Sequence, residues 1–174
     1  MNQESSPVFF PVSISKFVIM STVTLGFYQI FWFYKNWQLI KSRDGSKIVP
    51  IARAIFAIFF IYPLIDRIKK LANSSNISTN YNSTLIVMIW IAFRILSRFS
   101  SEFLPLSIDI LVDFMFALVL IPVQKTVNKL NLAIAPRHDL NDRFSAWNIV
   151  AIVAWALYLL SAISQMLLQR STGM

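Results

Sequence analysis

The chain has 174 residues, of which 56% are hydrophobic and only 14% charged, with a formal net charge of +8. Soluble domains carry about 25% charged residues, so this composition, with a mean hydropathy of +0.61, reads as a membrane protein and excludes intrinsic disorder, whose signature is many charges and few large apolar side chains. The absence of Cys excludes disulfides, thiolate metal sites and thiol nucleophiles, and the lone His138 cannot build an imidazole metal cluster.

A membrane-spanning helix needs about 20 mostly apolar residues at 1.5 Å rise each. The N-terminal stretch lacks a basic leader and carries Pro7 and Pro11 ahead of the first apolar run, so that run is expected to stay in the mature protein rather than be cleaved as a signal. The run covers residues 12–34. Lys16 near its start can extend its ammonium toward the headgroups, and the segment either crosses or re-enters by bending at Thr24, Leu25 and Gly26. The second run, residues 50–65, opens with Pro50, a residue tolerated in the first turn of a helix. The third covers residues 84–100. The fourth covers 106–122 and continues as helix to 131. The fifth, 147–168, has no charged residue. The expected fold is therefore all-α: a polytopic membrane helical bundle of about five membrane helices, in a single integral membrane domain over residues 1–174.

The connections are short and polar. Residues 73–83 are rich in Asn and Ser and contain three Asn-x-Ser/Thr triplets, at Asn73, Asn76 and Asn82. Residues 132–146 hold Arg137, His138, Asp139, Asp142 and Arg143. Basic residues in such links attract acidic headgroups at roughly 1 kcal/mol each, so the partners implied are membrane lipids with anionic headgroups rather than nucleic acid. Five crossings would put Lys35, Lys41, Arg43, Lys47, Arg98 and Arg170 on one side, and Lys16, Arg67, Lys69, Lys70, Lys125, Lys129, Arg137 and Arg143 on the other. Orientation follows an excess of Lys and Arg on the cytoplasmic side, and this count supplies no clear excess. The densest positive run marks the first loop as the cytoplasmic one.

Residues 63–71 and 122–130 align, sharing Pro, Lys and Leu at matched positions (Pro63 with Pro122, Lys70 with Lys129, Leu71 with Leu130). Two readings stand: an internal repeat of the kind found in transporters, or the common ending of any apolar helix in a Pro and a basic turn.

Charges inside the apolar runs are the most informative residues. A charge at the bilayer centre costs about 2.5–3.5 kcal/mol on insertion scales. Arg94 and Arg98 are four apart on one helical face, as are Asp109 and Asp113. Folding the chain back between the third and fourth helices as an antiparallel hairpin brings Arg98 level with Asp109, and Arg94 level with Asp113. Two interhelical ion pairs are expected, since the planar guanidinium can hold a carboxylate by two hydrogen bonds. They read as a clasp for the hairpin, or alternatively as the polar path of an ion or proton carrier.

Residues 24–37 are the most distinctive run. Aromatic side chains with polar tips favour the headgroup level, and here they lead into lysines. Tyr28, Trp32, Tyr34, Lys35, Trp37, Lys41, Arg43 and Lys47 are therefore expected to form a lipid-interface surface. The stretch from Met20 to Trp37 matches a Met-Ser-x-x-Thr-Leu-Gly-x-Tyr-x-x-x-Trp-x-Tyr-Lys-Asn-Trp signature. With the further stretches Leu120 to Lys125 (continuing to Asn128 and Asn131) and Arg143 to Asn148, it resembles an uncharacterised family of small bacterial integral membrane proteins. The resemblance implies a multi-pass protein of the bacterial inner membrane. It carries no activity, no cofactor and no catalytic residue.

The expected function is a non-enzymatic structural, assembly or regulatory role in the membrane, with a protein partner or a second copy. The alternative is a small transporter or channel built on the intramembrane Asp and Arg residues. No His-Glu-x-x-His, Gly-x-Ser-x-Gly or phosphate-binding Gly loop is present, so no catalytic, cofactor or metal residue is assigned.

Overall fold

The computed structural model describes residues 6–103 and 106–171; the side chains of residues 97–103, 106–110, 113, 166 and 169–171 lie outside that description. Every regular element among the described residues is a helix, so the fold is all-α. The chain divides into two compact units, Met1–Asp142 and Arg143–Met174.

In the first unit, Ser13 caps α1 (Ile14–Val23), its hydroxyl accepting the Lys16 N–H at 3.3 Å. The apolar run of residues 12–34 does not continue as one helix. The Thr24 hydroxyl donates to Met20 O at 2.6 Å and accepts the Tyr28 N–H at 2.8 Å. Leu25 and Gly26 then take φ of 50° and 81°, a region that favours Gly, and the chain turns back at the bend located in the sequence. The returning helix, α2 (Phe27–Asp44), runs antiparallel to α1 and its lead-in. Phe10 N–H donates to Asn36 Oδ1 at 3.1 Å, and the Phe17 ring lies 6.3 Å from Tyr28 and 5.9 Å from Trp32.

Gly45, at φ 60°, ends α2. After a short link come α3 (Pro50–Ile55) and α4 (Ala57–Ser74), interrupted at Phe56. The Trp37 and Phe60 ring centroids are 6.5 Å apart, and Asp44 meets Arg67 at 2.7 Å. Both contacts join residues with the same separation in sequence, so α2 and α4 lie side by side and point the same way. The chain thus returns at Arg67 to the level it left at Asp44. This corrects the reading of residues 50–65 as a crossing that sends Asp44 and Arg67 to opposite sides. A run of that length is about 24 Å of helix, and the five-residue link and the break at Phe56 let it double back.

The next helices, α5 (Ser83–Phe103) and α6 (Leu106–Val119), pack against each other. The Trp90 and Phe116 rings are 5.3 Å apart. The register that sets Arg94 opposite Asp113 would pair Trp90 with Ala117, one residue from the observed neighbour. After Leu120 comes α7 (Ile121–Ile134), with Pro122 in its first turn. The two stretches that align in sequence meet here, because α4 packs on α7. Pro63 lies inside α4, whereas Pro122 begins α7.

The core of this unit is a run of packed rings: Phe17 to Trp32 at 5.9 Å, Trp32 to Phe33 at 5.1 Å and Phe33 to Trp90 at 5.5 Å edge-on, and Trp90 to Phe116 at 5.3 Å tilted. Such aromatic pairs contribute about 0.5–1.5 kcal/mol each beyond area burial. Ile61, Leu64, Ile65 and Ile68 of α4 and Val123, Val127 and Leu130 of α7 fill the rest. The outside is unusually apolar: Phe59 is 72% exposed and Met88 63%.

The second unit contains α8 (Ala146–Ser171). Ser145 and Asn148 cap its start reciprocally: Ser145 N–H donates to Asn148 Oδ1 at 3.0 Å, and Asn148 N–H to Ser145 Oγ at 3.4 Å. Among the described residues this is the one helix long and apolar enough to cross a membrane, over Ala146–Gln165, and none of that window is buried.

Candidate functional site: an amide seam and a basic end

The most developed polar construction is a seam of side-chain amides around the N-terminal segment. Pro7 and Pro11 hold that segment out of helical geometry, so its peptide groups need partners from elsewhere in the fold. One face of α7 supplies them, since Gln124, Asn128 and Asn131 recur at helical spacing. Asn131 Oδ1 accepts the N–H groups of Val8 (2.9 Å) and Phe9 (3.1 Å), and its Nδ2 donates to Phe9 O (2.8 Å). Asn128 Nδ2 donates to Val12 O at 2.8 Å. Gln124 Nε2 faces Asn128 Oδ1 at 2.7 Å and the carbonyls of Phe10 and Val12 at 3.3 Å each. Its Oε1 accepts the Trp32 indole N–H at 2.5 Å. From α2, Asn36 accepts Phe10 N–H and donates to Trp32 O at 2.9 Å. Asn141 donates to Pro11 O at 3.1 Å and accepts from Lys16 Nζ at 2.7 Å.

Gln124, Asn131 and Asn36 are fully buried. A buried peptide group without a partner costs about 1–3 kcal/mol, so the seam fixes one register for residues 8–12. Gln124, Asn128 and Asn131 fall within stretches that stand out in the sequence, but nothing there assigns them a role. The available signal was a Gln/Asn stripe at positions i, i+4 and i+7 in a chain whose N-terminal segment carries two prolines.

The end of the unit that holds this segment is basic. Arg43 donates to Val8 O at 3.3 Å and to Asp44 at 3.0 Å, and Asp44 also takes Arg67 at 2.7 Å. The hydrogen bond from Arg43 is the largest effect on the Asp44 carboxyl and holds it below its ordinary value; burial opposes it, and the Arg43 charge and the Arg67 contact add to the lowering. Asp66 pairs with Lys70 at 2.9 Å, which raises the Lys70 ammonium above its usual value. The Arg53 guanidinium lies over the Trp37 ring at 4.3 Å and near Phe60 at 5.1 Å.

The expected lipid-interface residues divide. Trp32 and Trp37 are fully buried and Tyr28 nearly so. These three are core residues rather than headgroup anchors, because the α1–α2 hairpin and α3–α4 wrap the aromatic face of α2. Tyr34 and Lys35 are half-buried, and Lys41, Arg43 and Lys47 are exposed.

Of the expected ion-pair residues, the side chains of Arg98, Asp109 and Asp113 lie outside the described residues. Arg94 is described. Its guanidinium sits 5.8 Å from the Phe116 ring centroid, and an added Cβ at Gly26 would stand 3.4 Å from its Nη1. Arg94 therefore borders the α1–α2 turn. His138 is buried and its Nδ1 lies 2.6 Å from Ala135 O. No group of three or more His, Asp or Glu side chains converges on a metal position among the described residues. No family model, curated protein or solved structure matches the chain.

Proposed function

We propose that the chain is an integral protein of the bacterial inner membrane with a non-enzymatic structural, assembly or regulatory role. The carrying observation is the distribution of apolar surface. The α8 window is unburied throughout, and Phe59, Met88 and Phe27 (71% exposed) stand open on helices of the first unit. Monomeric soluble proteins rarely expose contiguous apolar surface on this scale. In this reading α5, about 30 Å of helix, and α6 cross and return as a hairpin, and α8 crosses separately. The α1–α2 hairpin and the α3–α4 excursion enter from one face and leave by it.

That arrangement changes the charge arithmetic. Lys41 and Arg43 share an end with Arg67, Lys69, Lys125 and Lys129 instead of opposing them. The resulting excess orients the basic end to the cytoplasm. The amides of the seam are engaged with the chain's own backbone, which favours a structural role over a transport path.

The test is extraction of membranes from expressing cells. Retention in the pellet at alkaline pH, with release only by detergent, is the expected result; a monodisperse soluble protein without detergent would overturn the reading. Purified protein in liposomes should show no ion flux above empty vesicles, and flux abolished by Asp113→Asn would establish the transporter alternative.

A further inference from the structure

Between the α4–α5 link and α7 lies a cavity of about 290 Å³, lined by Ser78, Asn80, Tyr81, Lys125, Thr126 and Lys129. We propose that it binds a phosphate group, presented by the headgroup of an anionic phospholipid. Its volume is at the small end of ligand pockets, suited to a headgroup rather than a larger organic ligand.

The chemistry of the lining is one-sided. Lys125 and Lys129 are four residues apart on one exposed face of α7, and neither is in an ion pair among the described residues. No carboxylate lines the cavity. Of the acids on α2 and α4, Asp66 pairs with Lys70 and Asp44 with Arg43 and Arg67. The Tyr81 hydroxyl is buried beside Thr126 without a well-formed hydrogen bond, while the Thr126 proton is committed to Pro122 O at 3.0 Å. Ser78 donates to Asn80 Oδ1 at 3.2 Å, which leaves the Asn80 amide donors available. Lys69 donates to Tyr81 O at 3.1 Å with its ammonium 5.7 Å from the ring. Residues carrying two ammonium groups, a phenol and an amide thus line one small space, and phosphate oxygens are acceptors that match all of these donors.

Placement favours a lipid as the source. Directly after this link, Leu85 and Met88 of α5 are exposed apolar side chains, a surface along which an acyl chain can lie once the headgroup is seated. The lipid source rests on the membrane reading above; the phosphate chemistry does not.

The experiment uses the full chain purified in a zwitterionic detergent. Native mass spectrometry counts bound phosphatidylglycerol against phosphatidylcholine, and a parallel thermal-unfolding series adds inorganic phosphate alone. The parent is expected to retain one phosphatidylglycerol at least tenfold more tightly than phosphatidylcholine. Lys125→Gln with Lys129→Gln should abolish that preference, and Tyr81→Phe should weaken it several-fold with the ring kept in place. The charge-matched control, Lys41→Gln with Lys47→Gln, should leave it intact.

Stabilisation by inorganic phosphate without lipid preference assigns the same site to a free anion. Neither response in a folded parent overturns the proposal, as does equal loss in the control pair. If the protein proves soluble without detergent, the phosphate series still decides the site, so the two readings fail separately.

Discussion

Gly26 is held at φ 81°, with Phe116 Cε1 3.3 Å and Arg94 Nη1 3.4 Å from where a Cβ would sit. Gly45 is held at φ 60° with nothing within 4 Å of that position. Left-handed backbone costs a residue with a side chain about 1–2 kcal/mol. Gly45→Ala should therefore lose about 1 kcal/mol in denaturant unfolding, and Gly26→Ala should lose more, because Phe116 must also move. Equal losses would show that the ring gives way freely.

Asp44 carries a pH dependence at the same scale. Its carboxyl is depressed in the folded chain, chiefly by the Arg43 hydrogen bond. The stability it contributes is thus complete above the ordinary carboxylate value and is lost as pH falls through the depressed one. Unfolding titrations from pH 6 to pH 3 should show the parent losing its advantage over Asp44→Asn as acid is added, and a constant difference would exclude the linkage. Little of this was legible from residues alone. Aromatic, polar-tipped Trp32 and Trp37 look the same in sequence whether they face headgroups or a core, and only the wrapping of α2 decides.

At the level of elements, local signals were readable where chemistry is local. Pro50 opens α3, the Thr24 to Gly26 bend turns the chain, and the uncharged run becomes α8. The amide seam was not readable, because its bonds between α7 and the N-terminal segment join residues more than a hundred positions apart. Its energetics yield a graded expectation. Asn131→Ala strands the N–H groups of Val8 and Phe9 and the carbonyl of Phe9, whereas Asn128→Ala removes its donor to Val12 O and the acceptor facing Gln124 Nε2. At about 1–3 kcal/mol for each stranded buried group, less where water enters, Asn131→Ala should be the more damaging. Hydrogen exchange at residues 8–10 should accelerate in Asn131→Ala well beyond its global loss of stability. Exchange that merely tracks global unfolding would mean the segment is held by its apolar side chains, Phe9 above all.

For the whole molecule, counting apolar runs assumes that each carries the chain to the other side. For the α5–α6 hairpin, where Trp90 packs on Phe116, that assumption belongs to the membrane reading proposed above. It fails for residues 45–66, because hydropathy records how apolar a run is and not where its ends meet. Asp44 and Arg67 meet at 2.7 Å, and that contact fixes a topology open to direct test. The chain has no Cys, so single substitutions report position without a background. Ser42→Cys and Ser74→Cys should react with a membrane-impermeant maleimide from the same face, the cytoplasmic one, in inverted vesicles and not in intact spheroplasts. Ser101→Cys, in the last turn of α5, should react from the opposite face. Five simple crossings would instead place residues 42 and 74 on opposite faces. Ser42 and Ser74 labelling from different sides would restore that count and remove the basis for a single basic, cytoplasmic end, since Lys41 and Arg43 would then be separated from Arg67 by the bilayer.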